Sequence, residues 1–181
     1  ANTLVFLATI LLFGEINSMS REMDMVFKDN MHLNELSDAL TAVQDSMTDY
    51  LNAKTSDSLE EFYRNEQAYA GMIEELNDRI VGTAFLRMKR SIRYMSQEYL
   101  EVVEQTIEAK RGRNVEKYRV RYENASQMYG YINTYINSLN SERFKNNSEN
   151  YSRLSESFHR FEGISMLVLA VVVVGNIVVI I

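Results

Sequence analysis

From Gly163 to Ile181 the chain reads GISMLVLAVVVVGNIVVII, a run without a charge whose only polar side chains are Ser165 and Asn176. A helix needs about 20 mostly apolar residues to cross a bilayer, so this run predicts a membrane-spanning helix. The opposite end matches it. Leu4 to Phe13 is apolar except for Thr9, too short to span alone, and it lacks the charged start and small-residue cleavage site of a signal peptide. The expectation is the end of a first transmembrane helix at residues 1–14, a domain looped out at 15–162, and the start of a second transmembrane helix at 163–181, both spans being truncated. Long domains translocate largely regardless of charge, so the formal net charge of −6 does not oppose an outside location.

The looped-out domain is expected to be helical. The chain has no Pro and seven Gly, and these two residues are the main interrupters of helices. It has no Cys, so neither disulfides nor thiolate chemistry is available. Apolar residues recur at steps of three and four, the signature of a helix with one buried stripe. The first seam is Leu33, Leu36, Leu40, Val43, Met47 and Tyr50, ending near Leu51 at a polar stretch. Asp57 with Glu60, or Ser58 with Glu61, forms a capping-box pattern ahead of a second seam, Leu59, Phe62, Tyr69, Ile73, Leu76 and Ile80, in which Glu66 is the polar exception. The phase slips at Val81-Gly82-Thr83, a turn or hinge. A third seam follows: Phe85, Met88, Ile92, Met95, Tyr99, Val102, Thr106 and Ala109. Lys110-Arg111-Gly112-Arg113-Asn114 then reads as a helix end, with cations suited to the helix dipole and Gly112 as the left-handed cap.

The last seam, Val115, Tyr118, Tyr122, Ala125, Tyr129, Ile132, Ile136 and Leu139, slips through Asn140–Asn150 and resumes as Tyr151, Leu154, Phe158 and Phe161 leading into the second apolar run. A helix from about Ile16 to Leu51 rises roughly 50 Å, and the chain must return to the same membrane face, so the number of long segments is even. The fold expected is all-α, an elongated antiparallel four-helix bundle flanked by the two membrane helices, with its last segment broken or kinked near Ser141–Ser148. The alternative puts the reversal in that polar stretch and makes Val81-Gly82-Thr83 a kink, giving one helix of roughly 80 Å that overshoots the first.

This arrangement, ending in SRLSESFHRFEGISMLVLAVVVVGN, resembles the extracellular sensor region of bacterial two-component sensor histidine kinases. The texture of INSLNSERFKNNSENYSRLSE is similar to LytS/YesM-like kinases of Gram-positive gut anaerobes. The resemblance implies a homodimer in the cell membrane, a cytoplasmic linker, often a HAMP domain, a kinase module beyond Ile181, and a cognate response regulator. Chemotaxis receptors and nucleotide cyclases share this front end, and a membrane-tethered helical scaffold is the competing class.

No motif for a catalytic site appears in the segment, and no cofactor is expected. Asp29-Asn-Met-His32 and Glu156-Ser-Phe-His159 echo the acid-x-x-His pairs of di-metal bundles, but the two His differ in height by roughly 20 Å, so no metal site is expected. Nucleic acid is excluded as a partner by the acidic balance. The basic stretches are Arg87–Arg93 and Lys110–Arg121. At the turn farthest from the membrane, Arg111, Arg113 and Arg121 with Tyr118 and Tyr122 form a candidate ligand site for a carboxylate, a phosphate or an anionic wall polymer; the competing reading is a solvated helix end. Tyr118, Tyr122 and Tyr129 at seam positions read first as core residues with hydroxyls at its edge. Asn176 beside Gly175 marks a candidate dimer contact between transmembrane helices. The stimulus, an extracellular ligand or a partner protein, carries no signature.

Overall fold

A computed structural model describes the backbone of residues 2–79 and 86–180 and, over 23–146, nearly all of their side chains. Among the described residues the structure is four α-helices and no strand: α1 (Asn2–Ala53), α2 (Ser56–Arg79), α3 (Leu86–Arg111) and α4 (Val115–Ile180). Two compact units result. One is Lys28–Glu142; the other combines Ala1–Phe27 with Arg143–Ile181.

The Lys28–Glu142 unit is a bundle whose core is drawn from all four helices. All six members of the first seam are buried, with Leu33, Leu40, Val43 and Met47 fully so. Phe62, Tyr69, Ile73 and Leu76 bury the face of α2, and Ile92, Tyr99, Val103 and Ile107 that of α3. Ala125, Ile132, Ile136 and Leu139 complete it from α4. Burying such side chains yields about 1.5–3 kcal/mol each, which is why short-range helix preference only has to be compatible with the result. Val115, expected in the seam, is instead 64 % exposed, because it stands in the first turn of α4, beyond the end of the packed layer.

The reversal between α2 and α3 is established by contact. The hydroxyls of Tyr69 and Ser96 lie 2.6 Å apart, whereas a straight helix would separate these positions by about 40 Å. The alternative with one long second helix is therefore excluded. Val81, Gly82 and Thr83 themselves, like Ile80 and Phe85, lie outside the described residues. Of the break or kink expected near Ser141–Ser148, the break does not occur: α4 is one uninterrupted helix through that stretch. Asn and Ser are mediocre helix formers, costing only about 0.5 kcal/mol each, and no Pro or Gly stands there. A seam keeps its phase only while a helix packs on the same neighbours, and at Arg143 α4 leaves the bundle unit.

The helix ends also differ from expectation in detail. Just past the end of α1 stands Lys54 at φ 53°, whose N–H donates to Tyr50 O at 2.9 Å. The capping box is Thr55 with Ser58: Ser58 N donates to Thr55 Oγ1 at 3.2 Å and Thr55 N to Ser58 Oγ at 3.3 Å. Helix α2 thus starts ahead of both expected boxes, because two hydroxyls satisfy the free amides as well as a Glu does. At the end of α3 the left-handed residue is Arg113 (φ 59°) rather than Gly112. Arg113 N donates to Lys110 O at 3.1 Å and Asn114 N to Ala109 O at 3.0 Å, the five-to-two and six-to-one bonds, respectively, of a Schellman end. Asn114 then caps α4, its Oδ1 accepting from Lys117 N at 3.0 Å. A non-Gly residue in this conformation is strained, so Arg113→Gly is expected to stabilise the bundle by about 0.5–1 kcal/mol, read as a raised urea midpoint with unchanged slope.

The membrane-span expectations rest on Leu4–Phe13 and Ile164–Ile181. Their backbone is helical up to Ile180, but apart from Ile10, 54 % exposed, these side chains lie outside the described residues. Among the described residues no helix is long and apolar enough to cross a membrane.

Candidate functional site

The turn between α3 and α4 holds the Arg/Tyr residues singled out in the sequence, and their side chains go to different places. Arg111 and Arg113 are exposed. Tyr118 lies under Lys110, whose Nζ sits 4.5 Å from the ring centroid, a cation–π contact within the turn. The Tyr122 hydroxyl is 3.4 Å from Thr48 Oγ1 on α1. Arg121 lies on the α3 side of α4, in an open groove of about 370 Å³ with Gln105, Glu108, Ala109, Gly112, Asn114 and Lys117. Lys117, Arg121 and Glu108 all line it, so the groove offers mixed charge. Gly175 and Asn176 lie outside the described side chains.

A second constellation runs along the α1–α4 seam. Ser37 donates to Asn133 Oδ1 at 2.8 Å, Thr41 Oγ1 is 3.2 Å from the Tyr129 hydroxyl, and Gln44 Nε2 donates to Ser126 Oγ at 3.0 Å. With Thr48 and Tyr122 these form a ladder in which each step of three or four residues up α1 is matched by the same step down α4. The antiparallel register is thereby read directly. Asn140 Nδ2 donates to Asn34 Oδ1 at 3.0 Å at its end, where Asn30 Oδ1 and Asn140 Oδ1 are buried without a hydrogen-bond partner among the described residues. The α1 members of the ladder each stand one position after a seam residue, a signal present in the sequence.

One rung extends through the core. The Tyr99 hydroxyl donates to Gln44 Oε1 at 3.0 Å, while Tyr69 meets Tyr99 edge to face at 6.5 Å between centroids and bonds Ser96. All four helices thus contribute to one polar layer. Burial pushes both phenol pKa values well up, which keeps the hydroxyls neutral and available as donors.

On the α2–α3 side, Glu66 is half-buried. Loss of hydration, with a smaller contribution from the Glu104 carboxylate, raises its pKa above 4.5. A raised acid pKa adds stability that is complete below the unfolded value and lost as pH rises through the folded one. Glu66→Gln is therefore expected to raise Tm at pH 7 by about 2–4 °C, with the gain vanishing below pH 4.5 in a pH series of melts. Buried Lys89 has its ammonium pKa lowered by the same loss of hydration.

The histidine patterns resolve simply. His32 Nδ1 lies 3.2 Å from Glu35 Oε2, a carboxylate on the following turn, and Asp29 is buried. The His159 side chain lies outside the described residues. Among the described residues no group of three His, Cys, Asp or Glu could hold a metal ion.

The sequence reading missed the exposed aromatics Tyr94, Tyr131 and Tyr135, at 65, 64 and 42 % exposure, because positions off the apolar seam give no periodic signal. No protein-family model matches this chain, and no curated protein matches it. The chain is similar in fold to a chain of the solved structure "XylFII-LytSN complex", at a TM-score of 0.61 and 16 % identity, over 66 % of this chain and 98 % of that one. At this identity the likeness is one of fold alone.

Proposed function

We propose that this chain is the extracellular stimulus-sensing region of a membrane-bound receptor, a sensor histidine kinase whose phosphotransfer module follows Ile181. The observation that carries the reading is the α1–α4 ladder. The apolar runs at both ends of the chain lie on the same two helices that the ladder joins. Its rungs are neutral hydrogen bonds, each contributing about 1 kcal/mol net, a size that a bound ligand's differential affinity can outweigh. A ligand or partner protein that favours one register would then displace the second span relative to the first. The fold likeness to a component of the XylFII-LytSN complex supports a stimulus delivered by a bound molecule or protein. Homodimerisation through Gly175 and Asn176 and phosphotransfer to a response regulator belong to the same reading.

The test is autophosphorylation of the intact protein in membrane vesicles, with Ser37→Cys and Asn133→Cys bridged by a short thiol cross-linker. Phosphate incorporated on His, at a rate changed several-fold by the bridge, is the expected result. No incorporation would sink the kinase assignment and leave a chemotaxis receptor, a cyclase or a tethered scaffold. An unchanged rate would sink the register mechanism.

A further inference from the structure

The outward line of α3 is Arg87, Arg90, Tyr94, Glu98 and Glu101, spaced by three and four and all exposed, opposite the buried Ile92, Tyr99 and Val103. Its charges are sorted, with Arg on the N-terminal side of Tyr94 and Glu on the C-terminal side. This order opposes the helix dipole, which favours acids in the first turn; the first turn of α3 has none and carries Arg87. Among the described residues Arg87, Arg90 and Glu98 join no ion pair within the chain. Among the described residues, neither helix stability nor packing accounts for the arrangement.

Two exposed tyrosines of α4, Tyr131 and Tyr135, come level with Tyr94 by helix register. The helices are antiparallel across the Gly112–Asn114 turn, and Lys110 is level with Tyr118. Equal steps back from that pair bring Tyr94 level with the interval between Tyr131 and Tyr135. The flank of α4 that faces α3 is marked by the groove residues Lys117 and Arg121, and continuing from them by threes and fours leads to Tyr131 and Tyr135. Large, stiff, amphipathic tyrosines at the centre of a patch with charges at its ends match the anatomy of protein–protein contacts.

The charge order also selects the occupant. A parallel second copy would set Arg against Arg and Glu against Glu, and like charges placed together oppose association. An antiparallel copy would match Arg87 with Glu101 and Arg90 with Glu98, but it would point the membrane ends of the two chains in opposite directions. We infer that the α3–α4 face docks a separate protein whose patch sets carboxylates against Arg87 and Arg90, an apolar or aromatic centre against Tyr94, Tyr131 and Tyr135, and Lys or Arg against Glu98 and Glu101. The exclusion of the antiparallel copy rests on the membrane-anchored reading above.

The test uses the full-length protein in its native membrane with a photo-reactive benzoylphenylalanine at position 94 or 131, and at Asp45 on the exposed side of α1 as control. Light-dependent adducts to another protein at 94 and 131, and none at 45, are expected. With that protein identified from the adduct and purified, R87E/R90E should weaken its binding at least tenfold, and reversing the carboxylates of the cross-linked patch to Lys should restore it. Unchanged circular-dichroism melts would show that the variant is folded. Adducts between two copies of this chain, no adduct at 94 or 131, equal adducts at 45, or an affinity indifferent to R87E/R90E would each overturn the inference. Failure of autophosphorylation with the adducts intact would instead count against the receptor reading.

Discussion

Replacing Tyr99 by Ala is expected to destabilise the bundle by about 3–5 kcal/mol, the largest effect of any single truncation proposed for this chain. Tyr99 is fully buried, so its removal leaves a ring-sized void that close-packed helices refill only in part. The T-shaped contact with Tyr69 is lost too, and Gln44 Oε1 is left without its donor. Tyr99→Phe keeps the ring and removes only the hydroxyl, so it should cost about 1–2 kcal/mol. Urea denaturation of both variants measures the difference. A loss below about 1 kcal/mol for the Ala variant would mean that the site collapses freely and that the core is not packed as described.

Gln44→Leu is expected to cost about 2–4 kcal/mol, although it adds a hydrophobic residue to a mostly hydrophobic core, because a buried polar group without a partner bears its full desolvation penalty. The amide serves α3 and α4 at once, accepting from Tyr99 and donating to Ser126. The decisive comparison is the triple variant Gln44→Leu, Tyr99→Phe, Ser126→Ala, which removes the partners together. It should recover most of the lost stability, as apolar replacement of a whole polar group often does. Equal instability of the single and triple variants would place the damage in side-chain shape, and would remove the argument that this layer sets the mutual register of α1, α3 and α4.

Much of the bundle was legible because burial leaves a period in a helix. Leu33 to Tyr50, Phe62 to Leu76 and Ile132 to Leu139 were read from steps of three and four, and the structure buries them. The slip through Asn140–Asn150 suggests a break or kink, yet α4 runs on unbroken, because phase depends on which neighbours a helix meets, and those change where α4 leaves the bundle unit. Glu66 stood out in its seam as an anomaly; that it faces Glu104 required the packing of α2 on α3. The Arg/Tyr cluster at the α3–α4 turn was found by composition, but adjacency along a helix does not make side chains converge. Lys110 engages Tyr118, Thr48 meets Tyr122, and only Arg121 of the five lines the groove.

What the sequence by itself determined was helix content, the buried stripe of each helix and the approximate place of each turn, since these depend on residues within one or two turns of each other. Tertiary structure alone decided which polar residues meet across the seam and which amide ties Tyr99 to Ser126. Such pairings join positions tens of residues apart, and no local period encodes the register between two helices. That register is selected by the packing that leaves the fewest buried polar groups unpaired.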